Sequence, residues 1–241
     1  MRIGVSITSI RLLWTQGTDK LYSLVKIMYT EYNTRQEWER SFGRRIGASE
    51  IAIICGFSHF KSKTELWKEK TGRKIPDDIS DNDLVAYGKE AEKYLRGLFA
   101  LKHRDKYEVE YHEFRVYYNE ADPFLTATLD GELTEIETGR RGIYECKTCF
   151  IKSKNALEEW QFNKIPDKYY CQICQQFYVT DFDFAVLNAE LRFPDGKAEI
   201  REYTIEKADI ESDIEYVVEQ GREFWEDYVM TDIEPPVTFR L

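Results

Sequence analysis

The amino-acid sequence predicts a single α/β domain, and three observations support this prediction. A long helical pattern precedes several strand patterns along the chain. A further helical pattern lies between the third and the fourth predicted strand, as expected when a crossover helix joins two strands of one sheet. No stretch rich in Pro, Gly or Ser divides the 241 residues. Since a chain of this length forms one large domain or two small ones, its continuity favours one.

The first part of the chain is predicted to be mainly helical. We interpret residues 1–37 as an N-terminal extension that precedes a domain of residues 38–241. Short helices are predicted from Trp38 to Lys74, one of them beginning with the capping-box spacing Ser62-Lys63-Thr64-Glu65. Residues 81–104 carry apolar side chains at intervals of three and four, which predicts a long helix. The apolar row of this helix is Leu84, Tyr87, Ala91, Leu95, Leu98 and Phe99.

The rest of the chain is predicted to form a mixed sheet with interspersed helices. Alternating aromatic and β-branched residues predict strands, and Pro194-Asp195-Gly196 predicts the turn of a hairpin. The predicted strands are Tyr107–Tyr118, Phe124–Leu129, Ile143–Thr148, Phe182–Phe193 and Lys197–Ile205. The predicted helices are Glu158–Asn163, Asp167–Thr180 and Glu206–Val229.

The composition argues against several functional classes. No run of 18 apolar residues is present, so no membrane-spanning helix is expected, and the N-terminus lacks the pattern of a signal peptide. The sequence contains neither a phosphate-binding loop nor G-x-G-x-x-G, so we expect no ATP and no other nucleotide cofactor. Five cysteines, an odd number, are typical of a reducing compartment. We therefore expect a cytoplasmic protein without a membrane partner.

Charge is distributed unevenly along the chain. The net charge of −10 by itself argues against DNA as a partner. However, residues 195–241 hold 5 basic and 14 acidic residues, so an acidic C-terminal helix and tail account for most of this charge. Residues 40–74 hold 9 basic and 3 acidic residues. Because binding of a polyanion depends on the local patch, this basic segment is a candidate for contacts with phosphates.

Two carboxylates and one lysine form the most informative pattern in the sequence. Asp130 follows an apolar strand, and Glu145 and Lys147 flank Cys146 on a later strand. Side chains alternate along a strand, so Glu145 and Lys147 point to one side. If the two strands pair, both carboxylates and the ammonium group converge. Carboxylates suit Mg²⁺, and a nearby lysine can position water or stabilise charge on a phosphate, as metal-dependent phosphodiester hydrolysis requires.

Two further segments can reach the same place. Glu92 lies one position from the apolar row of the long helix, so it can face the sheet. Tyr169 and Gln172 are three residues apart near the start of a later helix and therefore share one of its faces. Their side chains can contact the attacking water or DNA.

Taken together, these segments resemble the lambda-exonuclease and YqaJ family of phage recombination nucleases, within the PD-(D/E)-x-K superfamily. The matching stretches occur in order between Trp38 and about Val179. They are Arg44–Ala52, Phe57–Ser62, Glu65–Gly72, Gly88–Glu92, Thr128–Gly131, Glu145–Thr148, and Ile165-Pro166 with Tyr169–Gln172. The resemblance implies the PD-(D/E)-x-K nuclease fold, in which helices flank a central mixed β-sheet.

The resemblance also implies a metal site. Asp130, Glu145 and the main-chain carbonyl of Cys146 would bind Mg²⁺, for which Mn²⁺ could substitute. Glu92 would support this site through water or a second ion. Lys147 would orient or activate the attacking water.

Contacts with the water and the DNA are implied in the same way. Gln172 would help to hold the water, and Tyr169 would contact the water or the DNA strand. Ser49 would bind the terminal phosphate of the DNA. The arginine that the family uses beside it has no counterpart at its usual place, Phe42-Gly43. The cations available instead are Arg40, Arg44 and Arg45, with Lys61 further along the same segment.

The implied activity is that of a metal-dependent exodeoxyribonuclease. It would digest one strand of linear double-stranded DNA in the 5′–3′ direction and leave 3′ single-stranded overhangs for phage-type homologous recombination. The resemblance further implies a ring-shaped homotrimer on DNA ends and a phage single-strand annealing protein as a partner. It also implies the cytoplasm of a bacterial host, with the chain encoded by the bacterium or a prophage.

Other interpretations remain open at the level of sequence. A restriction-type or junction-resolving endonuclease would carry the same metal-binding pattern, and a non-catalytic DNA-binding relative would keep the fold. The pairs Cys146/Cys149 and Cys171/Cys174 have nearly the spacing of a four-cysteine zinc site, although buried free thiols are the simpler interpretation. The scattered histidines, which are expected at the surface or in the core, are His59, His103 and His112.

Overall fold

The computed structural model of the chain describes residues 2–13, 21–58, 60–79 and 81–236, with side chains from residue 28 onward. Within these ranges the strands form two five-stranded sheets. The first sheet has the order β1 (Arg2–Leu13), β2 (Leu21–Glu31), β5 (Arg115–Asn119), β6 (Leu125–Ala127) and β3 (Ile46–Gly47). The second has the order β10 (Ala198–Glu206), β9 (Phe184–Arg192), β8 (Arg141–Phe150), β7 (Gly131–Glu135) and β4 (Tyr107–Glu110). Each sheet mixes antiparallel pairs with one parallel pair, β3 with β6 and β8 with β9.

Helices cover both faces of the second sheet. The α-helices are α1 (Arg35–Ser41), α2 (Ile51–Ile54), α3 (Lys63–Lys70), α4 (Asp83–Lys102), α5 (Lys154–Glu158), α6 (Asp167–Thr180) and α7 (Glu211–Phe224). Because strand side chains alternate, β8 presents Tyr144 and Cys146 to α4 and presents Ile143 to the core that contains α6. The sheet thus separates a small core under α4 from the main core under α6. No helix in the described ranges is long and apolar enough to cross a membrane.

Local signals explain where the main helices begin and end. The predicted capping box is confirmed, since Ser62 and Glu65 exchange both of its hydrogen bonds. Asn82 caps α4 by accepting from the main-chain N–H groups of Leu84 and Val85. Pro166 precedes α6, where its missing N–H costs nothing, and the helix ends at Asp181 in the left-handed conformation (φ 54°).

The predicted α/β class and several elements are confirmed. The long helix and the helix Asp167–Thr180 correspond to α4 and α6. The predicted hairpin is formed by β9 and β10. The helix α6 connects the parallel strands β8 and β9, as the crossover pattern predicts.

Other predictions about the elements are wrong. The predicted strand Tyr107–Tyr118 is divided between β4 and β5, which belong to different sheets, because the chain turns between them without any break in the alternating pattern. The helix predicted at Glu158–Asn163 lies earlier, as α5, since Ser153 caps its start and Phe162 and Asn163 have positive φ angles.

The two ends of the chain also differ from expectation. The N-terminal extension contains β1 and β2, and β2 pairs with β5. The division between residues 37 and 38 stays a prediction. The C-terminal helical pattern is a 3₁₀ turn (Lys207–Asp209), then α7, then a π-helical segment (Trp225–Met230). Residues 237–241 of the predicted acidic tail lie outside the described residues.

Candidate active site

Asp130 and Glu145 are brought together where the β7–β8 ladder ends. Gly131 of β7 pairs with Tyr144 of β8, so Asp130 comes next to Glu145 in the same register. The main-chain N–H of Cys146 donates to Asp130 Oδ2 at 2.8 Å. The strand that follows Asp130 makes this pairing. The strand before it, β6, pairs in the other sheet, so our expectation that it would lie beside Glu145 is wrong.

Glu145 is a buried carboxylate held by three donors. Its side chain is 1% exposed. Gln172 Nε2 donates to Glu145 Oε1 at 2.6 Å, and Gln176 Nε2 donates to Glu145 Oε2 at 2.5 Å. Lys147 Nζ lies 2.5 Å from Glu145 Oε1. Because a buried carboxyl group is costly unless it is paired and hydrogen-bonded, these donors offset the cost of burying the Glu145 side chain.

Lys147 lies between carboxylates and an aromatic ring. Although burial opposes its charge, the carboxylates of Glu145 and Asp130 raise the pKa of Lys147, so the ammonium is present at neutral pH. Its Nζ is 5.3 Å from the centroid of the Tyr169 ring. The Tyr169 hydroxyl in turn lies 3.3 Å from Cys149 Sγ. The structure thus places Tyr169 beside the lysine and Gln172 on the carboxylate.

The helix α4 reaches the same place from the opposite face of the sheet. Arg96 Nη1 donates to Glu92 Oε1 at 3.0 Å and to the main-chain oxygen of Asp130 at 2.6 Å. A Cβ at position 131 would lie 3.3 Å from atoms of Arg96 and Tyr144, so the glycine there leaves room for the arginine. Arg96 therefore links Glu92 to the backbone that carries Asp130.

The donor set fits a hard divalent cation. Burial and the Glu145 carboxylate raise the pKa of Asp130 well above its usual range, with a smaller contribution from Glu92. A bound cation would remove this repulsion. Since the Cys146 N–H points to Asp130, its carbonyl lies on the same edge of β8. Two carboxylates and a carbonyl, completed by water and substrate phosphate, are typical of Mg²⁺.

The described residues contain no group of three His, Cys, Asp or Glu side chains that could hold a metal ion. The same finding argues against the four-cysteine zinc site that the sequence left open. Cys146 lies in the core under α4, whereas Cys171 and Cys174 lie in the core on the other side of the sheet. Burial raises the pKa of the Cys146 and Cys174 thiols to about 12. Cys146, Cys171 and Cys174 are therefore placed as buried thiols, and Cys149 is half-buried.

The two histidines in the described part of the chain, His103 and His112, do not join the site. His103 Nε2 lies 2.9 Å from Glu202 Oε2. His112 Nε2 lies 3.4 Å from Glu110 Oε2. His59 is outside the described residues.

The predicted DNA contacts lie on a separate segment. Arg40, Arg44 and Ser49 are exposed. Arg45 is half-buried, with its guanidinium carbon 5.7 Å from the centroid of the Tyr118 ring. Lys61 is engaged in an ion pair, Nζ to Glu69 Oε2 at 2.7 Å, so its charge is already matched within the protein.

One helix connects this segment to the carboxylates. Gln175 of α6 donates to the main-chain oxygens of Ile46, at 2.8 Å, and Thr126, at 2.9 Å. Ile46 follows Arg45 directly, while the neighbouring Gln176 holds Glu145. Consecutive glutamines thus attach the basic segment and the strand that carries Glu145 to the same helix.

Two residues of the site are absent from the sequence-based set. Gln176 follows Gln172 by four residues, and Arg96 follows Glu92 by four. Side chains four apart on a helix are neighbours, so this spacing is the signal that could have identified both.

The fold and the arrangement of Asp130, Glu145 and Lys147 define a protein of the PD-(D/E)-x-K nuclease fold. Residues 37–183 match the YqaJ-like viral recombinase domain, and the chain belongs to that family. The "Uncharacterized protein YqaJ" of Bacillus subtilis (strain 168) is 29% identical over 205 residues, covering 82% of this chain and 57% of that protein. The chain therefore spans little more than half the length of this relative.

Solved structures share the fold. The alkaline exonuclease LHK-Exo from Laribacter hongkongensis aligns with a TM-score of 0.52 and 15% identity, over 82% of this chain and 97% of that chain. Its complex with dAMP aligns with the same TM-score and identity, over 98% of that chain. The predicted family and fold are confirmed by these comparisons.

Proposed function

We propose that the chain is a Mg²⁺-dependent deoxyribonuclease. The observation that supports this most strongly is the convergence of Asp130, Glu145 and Lys147 at the end of one strand pair. Two neighbouring carboxylates that can hold a divalent cation, with a charged lysine beside them, are the components that metal-assisted phosphodiester hydrolysis needs.

The metal would be held by the Asp130 and Glu145 carboxylates and the Cys146 carbonyl. When bound, Mg²⁺ supplies Lewis-acid stabilisation of the negative charge that develops on the phosphate. Glu92 lies at the edge of this set, where Arg96 ties it to the Asp130 backbone. We assign it a supporting role.

The remaining side chains prepare the reacting groups. Lys147, fixed by Glu145 and flanked by Tyr169, orients the attacking water and stabilises charge on the phosphate oxygens. Gln172 holds the Glu145 carboxylate from α6 and lies on the same helix face as Tyr169, where it can also contact the water.

We propose linear double-stranded DNA as the substrate. One strand would be digested in the 5′–3′ direction, leaving a 3′ overhang for recombination. The exposed Arg40, Arg44 and Ser49, with Arg45 beside them, would contact the terminal phosphate and the backbone. Family membership and the likeness in fold to an alkaline exonuclease support this choice. A ring-shaped trimer and an annealing-protein partner are further proposals drawn from the resemblance.

The test compares DNA forms in the presence of Mg²⁺. Linear duplexes labelled at the 5′ or the 3′ end, with 5′-phosphate or 5′-hydroxyl, are incubated beside closed circular duplex. We expect loss of the 5′ label from linear DNA, retention of the 3′ label on the complementary overhang, and intact circles. Cleavage of closed circles would indicate an endonuclease instead. Binding of DNA without any cleavage would indicate a non-catalytic relative.

A further inference from the structure

One apolar side of α4 faces solvent in the described part of the chain. Leu95 and Phe99 are buried, but Tyr94, Leu98 and Leu101 are about 60% exposed. With the exposed Leu84 and Tyr87 and the half-buried Ala91, they form a continuous stripe along the helix. We call this stripe the α4 seam: Leu84, Tyr87, Ala91, Tyr94, Leu98 and Leu101.

The seam has the spacing of a helix-pairing surface. Its members follow one another at intervals of 3, 4, 3, 4 and 3 residues, the a/d pattern by which two helices pack along their length. The 20 residues of α4 extend about 30 Å. Soluble monomers rarely leave such a long apolar stripe uncovered, so the seam indicates an interaction surface.

The seam faces away from the candidate active site. Tyr87 donates to Glu190 of β9, and Lys102 pairs with Glu202 of β10, so this side of the helix lies above those two strands. Glu92 and Arg96 project from a different side of α4, toward Asp130. On the same face of β10 as Glu202, Ile200 is also exposed and extends the apolar surface. A partner on the seam would leave the carboxylates accessible.

We propose that the seam binds the seam of a second copy of this chain, with the two α4 helices antiparallel across a twofold axis. In this register Leu84 lies opposite Leu101 of the second copy. Tyr87 lies opposite Leu98, and Ala91 lies opposite Tyr94. The small Ala91 leaves space for the large Tyr94 ring at the centre, so the stripe is complementary to itself when reversed.

Charge at the helix ends selects the antiparallel orientation. Acidic residues, Asp81 and Asp83, stand at the start of α4, whereas Lys102 and Arg104 stand at its end. Antiparallel pairing brings each acidic end to the basic end of the second copy. Parallel pairing would place like charges together at both ends, which is unfavourable. The exposed Asp83 and Arg104 are the pair that this register brings together.

The first test measures the mass of the full chain in solution by light scattering. We expect an even multiple of 28.6 kDa and a halved mass for the double variant Leu98→Glu/Leu101→Glu. If the chain also forms the proposed trimeric ring, the seam joins two rings into a hexamer. An even multiple is then still expected, and the seam variant should again have half the mass. The control is Ile136→Glu, a change at an apolar residue off the seam that is 50% exposed, and this variant should retain the mass. Circular dichroism checks that each variant is folded.

The second test exploits the charge pair. Asp83→Arg and Arg104→Asp should each raise the dissociation constant of the twofold contact roughly fivefold, because each changes two symmetry-related pairs. The double variant should return the constant to near its original value. The proposal is overturned if the unaltered chain is a monomer or an odd-numbered assembly, or if the seam variant keeps the mass of the unaltered chain. It is also overturned if the double charge-reversal variant associates more weakly than both single variants. None of these outcomes depends on nuclease activity.

Discussion

The carboxylate–lysine cluster and the basic segment of residues 40–49 differ in how completely the folded chain constructs them. Glu145 is buried and receives hydrogen bonds from two glutamines and an ion pair from Lys147. Arg40, Arg44 and Ser49 are exposed. The carboxylate–lysine cluster therefore has its bonding partners within the protein, whereas the side chains proposed to contact DNA would gain theirs only when DNA binds.

Solvation explains this difference. A carboxylate removed from water must find partners within the protein, so the fold has to supply them. An exposed guanidinium is solvated without a partner, and it contributes to binding when DNA phosphates release their counterions. Changes in the cluster should therefore affect turnover, and changes in the basic segment should affect binding and its salt dependence.

The largest effect is expected from removing the charge of the lysine. Lys147→Met retains the aliphatic stem but loses the ammonium that would orient water and stabilise the phosphate, so the turnover rate on linear DNA should fall by about 10²–10³-fold. The exposed Lys152→Met serves as the matched control and should be unchanged. Near-normal turnover of folded Lys147→Met would refute the role assigned to this residue.

The adjacent Gln175 and Gln176 allow an effect on the carboxylate–lysine cluster to be distinguished from an effect on the stability of the surrounding fold. Gln176→Leu removes a donor from Glu145, so activity should fall by about 10–100-fold. Gln175→Leu removes the amide donor shared by the main-chain oxygens of Ile46 and Thr126, so it should lower the free energy of unfolding by about 1–3 kcal/mol while the folded protein retains its turnover. Steady-state kinetics and urea unfolding measure the two quantities. Equal loss of turnover in both variants would contradict this separation.

A smaller effect, of a different kind, is expected from the basic segment. Arg44→Ala should weaken DNA binding several-fold and reduce the slope of log K against log salt by about 0.9, as expected for one lost phosphate contact. Turnover at saturating DNA should be unchanged. Arg73→Ala is the control, because Arg73 is already paired with Asp232, 2.6 Å away. An unchanged salt slope for Arg44→Ala would exclude a phosphate contact at this residue.

The smallest effect on DNA binding is expected for the replacement of Lys61. Its ion pair with the buried Glu69 side chain matches its charge, so Lys61→Ala should leave the salt slope of binding unchanged. The same change leaves Glu69 without this partner, so the free energy of unfolding should fall. If the salt slope instead falls as much as for Arg44→Ala, Lys61 belongs to the DNA-binding surface.

Sequence patterns predicted the fold class and the elements with strong local signals. The capping box at Ser62 and the periodicity of α4 and α6 act within a few residues, so they are visible in one sequence. The break between β4 and β5 cannot be seen in the sequence, because the alternating pattern continues through the turn. Only the pairing partners of the two strands differ. The alternation of Ile3, Val5 and Ile7 is a strand signal for β1 that the predicted set lacks, and β2 is defined by its pairing with β5.

The site was predictable where chemistry and spacing coincide. Glu145 and Lys147 share one side of β8, as strand alternation predicts, and they form an ion pair. The position of Asp130 depends on β7, a strand missing from the predicted set. The exposure of Leu98 and Leu101 was also unpredictable, because periodicity identifies an apolar face but not the protein that covers it.

The most direct test of the proposed function compares the unaltered chain with Glu145→Gln on an end-labelled linear duplex, with Mg²⁺ or with EDTA. Glutamine keeps the shape of the side chain but removes the charge that would bind the metal. The account predicts that one strand is shortened only by the unaltered chain and only with Mg²⁺. Equal digestion by folded Glu145→Gln, or digestion that persists in EDTA, would contradict it.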